Sequence, residues 1–518
     1  MEQSLDLILA KGNVITLNDQ QPRVEAVGVE GERIAIVGSL NEVKKGQSKS
    51  TQFINLKGKT LLPGFIDSHV HLMYTGLSLL GVDLSTVQSI DEVLKKIKER
   101  AKITPLGEWI LGYLFNEALT QEKRFPTKKE LDAVSTEHPI YISHYTYHSC
   151  AVNTIALQRL NISINLEGIN KDSKGEIIGE IDDPAINEVN NRMNNLIGEK
   201  NRLKAVIAAA QKALQVGITT LHAKEEFQNA NFILENKDRL PIRIRILFFL
   251  RTLKKEVEEI INLDFLQKRN CICLIADGAI ETHTAALFRP YTDDQTTSGM
   301  LYYSDEEIQG FMEKAHRAGF QISIHCESER SIEQALLGYE RALRKNPRKN
   351  HRHRIEHFEL PTFNQIDRVA KTEVALAMQP IFIPICGGDN LEAERKLLGK
   401  ERVKRYHPYR TILDKGILVA GGSDSPVTQM NPLKGIQAAL THPNKDQRIA
   451  LDEAIRFYTI NGAKIGFEEK EKGTIEKEKL ADFVVLSEDP YRVLPEKIGK
   501  IHIEMTIVGG KVVYKKEN

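Results

Sequence analysis

The sequence has little that would tie it to a membrane, an oxidising compartment or a polyanion. Its apolar runs are strand-sized and broken by charge, and Met1 to Gly12 lacks a basic start followed by a long apolar segment, so neither a spanning helix nor a secretory leader is expected. Five cysteines (Cys150, Cys271, Cys273, Cys326 and Cys386) are few for 518 residues, odd in number and without the paired spacing of a zinc knuckle, which argues against a disulfide framework and fits a reducing cytoplasm. Charge of one sign is also missing. The 71 Lys and Arg balance 70 Asp and Glu to a formal +1, so no global field draws in nucleic acid or an anionic membrane. A small-molecule substrate is the expected partner, with a homodimer left open.

What is present suits a fully folded chain. Hydrophobic residues make up 41% of it, too many for disorder, and its length exceeds one simple core, so a large domain with an accessory one is expected. Short turn-punctuated strands occupy the first sixty residues (LDLILAKGNVITL, AVGVEGERIAIVG, FINLKGKTLL) and recur at the end (ADFVVLSEDP, IEMTIVGGKVVY). Both ends alternate apolar and polar residues, so they are expected to pair into one discontinuous β-domain, a sandwich built from residues 1–62 and 466–518.

Between them, over 63–465, eight apolar strands alternate with amphipathic segments: FIDSHVHL, GITTLHA, IRIRILFFL, CICLIADGA, QISIHCE, HRIEHFEL, ALAMQPIF and LVAGGSD. Such repetition predicts parallel βα units closing into a (β/α)8 TIM barrel, an α/β fold. SDEEIQGFMEKAHRAG before the fifth strand is expected to be a helix capped by Ser304. The interval between strands one and two is too long for a crossover, so about 80–210 is an inserted subdomain, read as a lid. The charge runs ALRKNPRKNHRHR and FEEKEKGTIEKEKL read as solvated faces, and the first lacks the interleaved aromatics of a nucleic-acid site.

Chemistry concentrates at the ends of the predicted strands. His69 and His71 are two apart in a strand and so share a face, able to reach one metal ion. His325, His357 and Asp424 end strands five, six and eight, where a barrel presents its active-site residues. Any one of them could be a hydrogen-bonded core histidine or a helix-capping aspartate; five together at one rim argue for a divalent metal. Zn2+ is the ion expected from nitrogen and carboxylate donors, with Fe2+ and Mn2+ open.

The segments FIDSHVHL, IEHFEL, GGSDSPV and KLADFVVL resemble the amidohydrolase superfamily. GEWILGYLFNEALT, HSCAVNTIAL, ADGAIETHTAAL, MQPIFI and GGSDSPVTQMNPL bring the resemblance to amidohydrolase family 3, the YtcJ-like group that includes N-substituted formamide deformylases. The resemblance implies a distorted barrel beside a β-sandwich, with one or two metal ions bound through His69, His71, His325, His357 and Asp424. Two departures stand out. Where relatives carry a strand-four lysine that can bridge two metals, this chain has Cys273, either a thiolate ligand or a small core residue. After His325 the chain reads HCESERS, placing Glu329 where relatives carry an aspartate. Without the bridge, the simplest arrangement is one ion on His69, His71, His325 and Asp424, with His357 turned to water or substrate.

The implied chemistry is hydrolysis of a C–N bond, of amide or N-substituted formamide type, with Asp424 moving the proton and His357 stabilising the oxyanion. His148, Asn153, Trp109 and Asn116 in the insertion, and Asp277, Glu281 and His283 after strand four, are candidate substrate contacts; for Trp109 the alternative is an interface plug, and for Glu281 and His283 plain loop surface. Competing readings are a deaminase of an N-heterocycle and, from another class, a regulatory protein on a non-catalytic amidohydrolase fold.

Overall fold

The computed structural model describes residues 4–147, 149–182, 185–250, 270–386 and 390–517. His148, one of the expected substrate contacts, lies outside them. Two compact units result, one of Met1–Val70, Gln211–Asp424 and Thr428–Asn518, the other of His71–Ala210 with Ser425–Val427.

All eight expected barrel strands form in the first unit. They are β1 (Phe65–Val70), β2 (Ile218–Glu226), β3 (Arg243–Phe249), β4 (Cys271–Ile275), β5 (Gln321–Cys326), β6 (Arg354–His357), β7 (Ala375–Met378) and β8 (Val419–Gly421). Each pairs in parallel with the next, in chain order. This is the predicted α/β barrel, and its strands are nearly continuous apolar runs because both faces are covered. The helix Asp305–Arg317 begins at Ser304, whose hydroxyl accepts from the Glu307 N–H while the Glu307 carboxylate returns to Ser304, a capping box.

Both chain ends build one eight-stranded sheet. Its seam is Thr60–Pro63 against Phe483–Leu486, antiparallel, with Leu61 opposite Val485. Period-two alternation sends Leu7 and Leu9 to one apolar cluster, with Phe483 and Val485, and Ile8 and Ala10 to another, which Leu5 joins because the register shifts between Leu5 and Leu7.

The second unit carries a six-stranded sheet containing Ile110–Phe115, Ile140–His144 and Ser149–Val152. Its helix Ile90–Ala101 buries Ile90, Val93 and Ile97 against Ile110, Ile140 and Ile142, and starts at the Ser89 cap. Among the described residues, no helix is long and apolar enough to cross a membrane.

One expectation is corrected here. The run ALRKNPRKNHRHR is not wholly a solvated face: His353 is buried against His316, and Arg354 is fully buried. Arg354 opens β6 and points into the barrel, where it grips Glu356 and the Ser68 carbonyl (2.6 Å). A guanidinium can be buried when its donors meet a carboxylate and a carbonyl.

Candidate metal centre

The site starts where β1 meets β8. The Asp67 carboxylate accepts from the N–H groups of His69 (3.1 Å) and Ser423 (3.0 Å), tying the two strand ends together. Gly422 is required there, since a Cβ on it would lie 2.8 Å from the His69 Cβ and backbone nitrogen. The chain then turns at Asp424, whose φ of +54° is rare for a side-chain-bearing residue, and its N–H donates to the His69 carbonyl at 2.8 Å. β1 ends at Val70, so His71 does not share a strand face with His69 as expected; it stands at the N-terminal boundary of the helix Leu72–Leu80, with no capping bond from its side chain. Donor atoms of His69, His71 and Asp424 lie within 4.8 Å of one another.

A second set forms at the ends of β5 and β6. His325, Glu327 and His357 bring donor atoms within the same 4.8 Å span. His357 sits at φ +69°, another left-handed residue at the rim. The His357 ring lies between the others, with centroids 4.3 Å from His325 and 5.1 Å from His69. The five residues singled out from sequence thus divide into two donor groups, with His325 beside His357 and not beside His69 and His71. Glu327 joins them from the HCESE segment, where sequence reasoning had stopped at Glu329. Its signal was the His-x-Glu spacing, which recurs as His357-Phe358-Glu359.

Behind each of three imidazoles stands a carboxylate on the Nδ1 side. Glu356 is 2.7 Å from His69 Nδ1, Asp277 is 3.6 Å from His325 Nδ1, and Glu359 is 3.6 Å from His357 Nδ1. The Nε2 atoms face the donor carboxylates: His69 at 3.1 Å and His357 at 4.0 Å from Asp424, His325 at 3.7 Å from Glu327. Carboxylates behind Nδ1 hold the proton on that side and leave the Nε2 lone pair for a metal, the outer-shell pattern of ligating histidines.

Electrostatics favour a cation here. Burial holds His325 and His357 below the usual imidazole range, in the neutral form that can ligate. At His69 burial pulls the same way, but Asp424 and Glu356 on either side override it and raise the group to about 9. A positive charge is therefore stabilised between those two carboxylates. Imidazole nitrogens and carboxylate oxygens converging in a buried site fit a divalent transition metal.

Other expected residues serve elsewhere. Cys273 is buried on β4 with its sulfur 4.0 Å from that of Cys271, and belongs to neither donor group. Asp277 is fully buried, accepting from the N–H groups of Ala286 and Glu327 and from the Ser328 hydroxyl, which makes it a support for His325 instead of a substrate contact at the mouth. Asn153 is likewise consumed: its amide bonds to Ile140, Ala156, Ser135 and His138 while capping the helix Thr154–Leu160. Asn116 caps the short turn Glu117–Leu119, and Trp109 is half-buried at the entry to the strand Ile110–Phe115. Glu281 is half-buried in the loop after β4; His283 there pairs with Asp293 at 3.0 Å. Glu329 is bound to Arg405 at 2.6 Å.

Comparison with known proteins agrees with this architecture. A model of the amidohydrolase family matches residues 52–514. The protein YtcJ of Bacillus subtilis (strain 168) is 31% identical over 531 residues, covering 98% of both chains. An N-substituted formamide deformylase of Arthrobacter pascens is 27% identical over 549 residues, covering 100% of this chain and 99% of its own. In three dimensions the chain is similar to an uncharacterised metal-dependent hydrolase from Pyrococcus horikoshii OT3, with a TM-score of 0.79 at 24% identity over 94% of this chain and 99% of that one.

Proposed function

The chain belongs to the amidohydrolase family, and we propose that it is a metal-dependent hydrolase that cleaves an amide or N-substituted formamide bond of a small molecule. The observation that carries this reading is the pairing of two donor groups, His69–His71–Asp424 and His325–Glu327–His357, at the C-terminal ends of β1, β5, β6 and β8. Two divalent ions, of which Zn2+ suits the donors best, would fill them. The full-length similarity to a protein named for deformylation of N-substituted formamides supports the substrate type.

A bound divalent cation supplies water acidified toward neutrality and a positive charge for the oxygen of the attacked carbonyl. The protein's residues do the rest. Asp424, with one oxygen near His69 Nε2 and the other toward His357 Nε2, accepts the water proton at a carboxylate oxygen and returns it to the leaving nitrogen. Glu359 behind His357 Nδ1 would hold the ring proton there and leave Nε2 to bind the cation, so His357 serves as a ligand and not as the oxyanion donor expected from sequence. Glu356 and Asp277 hold His69 and His325 in register.

The test is turnover of a panel of N-alkyl and N-aryl formamides by the metal-loaded protein. Release of formate and free amine is expected. Ammonia released from an N-heterocycle, with no formamide turned over, would replace this reading with the deaminase one.

A further inference from the structure

The carboxylate behind His357 is itself held from another loop. Glu359 is fully buried, and sends one oxygen to within 3.6 Å of His357 Nδ1 and the other to within 3.7 Å of His407 Nε2. His407 lies on the chain between β7 and β8 and is equally buried. Backbone bonds stitch three loops together here. The N–H groups of Glu359 and Leu360 donate to the Glu327 carbonyl at 3.1 and 2.9 Å, and the His407 N–H donates to the Glu359 carbonyl at 2.8 Å. Glu359 is therefore pinned by main chain on both sides, once to the residue that carries a metal donor and once to His407.

Strain gathers around the same carboxylate. His357, Phe358 and His407 take left-handed φ angles of +69°, +53° and +48°, uncommon for side-chain-bearing residues and kept only where the surroundings over-determine them. The tautomer of His407 follows from its neighbours. Burial keeps the ring neutral, well below the usual imidazole range, so it carries one N–H. Nδ1 faces the Tyr409 hydroxyl at 3.3 Å, with the two rings stacked at 5.7 Å, while Nε2 faces the carboxylate. A carboxylate accepts, so the proton sits on Nε2 and Nδ1 takes the phenol O–H. Glu359 thus stands between two imidazole N–H groups, one on a metal donor and one on His407.

We infer that His407 is a positioning residue of the hydrolase: it holds Glu359 by its second oxygen, so that Glu359 fixes the His357 ring with Nε2 turned to the cation. Tyr409 sets the His407 tautomer that does so. The inference rests on the hydrolase reading above and extends its machinery to the segment before β8. His407 itself belongs to neither donor group.

Chelator competition on the metal-loaded protein reads the effect without turnover. His407→Leu removes the N–H that faces Glu359 and should weaken the ion on His325, Glu327 and His357 by about tenfold, the lower end of what losing a direct outer partner costs, with the other ion unmoved. His407→Gln keeps an N–H donor at the end of the side chain and should stay within about twofold of the parent. Tyr409→Phe keeps the ring, loses only the hydroxyl, and should fall between them at about threefold. In cobalt-loaded protein the absorption bands of one site should shift in His407→Leu and return in His407→Gln, which loss of packing alone would not produce. The inference is overturned if His407→Leu holds both ions as the parent does, if both ions weaken equally, or if His407→Gln is as impaired as His407→Leu. Parent protein that binds no metal would sink the hydrolase reading and this inference together; metal bound without formamide turnover would count against the substrate alone, and the same competition still decides His407.

Discussion

Asp424 Oδ1 lies 3.1 Å from His69 Nε2, and the Asp424 N–H donates to the His69 carbonyl at 2.8 Å. The side-chain contact is therefore set by the backbone contact. Just past the end of β8, the turn that carries Asp424 is pinned to β1 by this backbone bond, which fixes the proposed proton carrier against a proposed ligand. Proposed roles for both residues can be separated by substitution.

Asp424→Asn keeps the shape and an oxygen donor but loses the basic oxygen. Turnover should fall by about 10²–10⁴-fold, the usual worth of general acid–base catalysis. Much of the metal should stay, as elemental analysis would register; turnover close to that of the parent protein would contradict the assignment.

His69→Ala acts on the ion itself. It removes one nitrogen donor and leaves Glu356, fully buried beside Arg354, without its partner at 2.7 Å. The purified variant should have lost metal as well as activity. A full complement would show that His69 is not a ligand.

Asp277→Asn probes support behind a ligand. Asp277 faces His325 Nδ1 at 3.6 Å, so metal affinity should drop about 10–100-fold, in the range found for outer-shell carboxylates. Competition with a chelator measures it, and an unchanged affinity would confine Asp277 to holding the loop.

Acid stability carries a separate signature. His222 is fully buried on β2, and burial, partly offset by Glu468 at 3.8 Å, lowers it from 6.5 to about 4. Its folded value lies below its unfolded one, so the unfolded chain binds the proton first. Stability is then full above about pH 6.5 and declines as pH falls toward 4, by about 3 kcal/mol for this one group. Denaturant midpoints between those pH values should fall less steeply in His222→Asn than in the parent; parallel slopes would remove His222 from the acid response.

The barrel was legible because each β strand is a short apolar run, and His69, His325 and His357 fall at strand ends that periodicity alone can locate. Pairing of the chain ends could likewise be read from their alternation. The division into two donor groups could not. It depends on register, with Ile275 opposite His325 and Cys326 opposite His357, which no local pattern encodes. The same holds for Asp277, expected at the mouth and found behind His325. Asn153 was misread for another reason: an Asn before a helix is as good a cap as a ligand contact, and only the packing around Ile140 decides which.

The central claim is that the two histidine–carboxylate groups hold metal. Elemental analysis of protein purified without added metal, before and after dialysis against a chelator, tests it most directly. Divalent metal near stoichiometry with both donor groups is predicted, with formamide hydrolysis lost on chelation and restored by Zn2+. Metal-free protein whose hydrolytic activity ignores the chelator would contradict it.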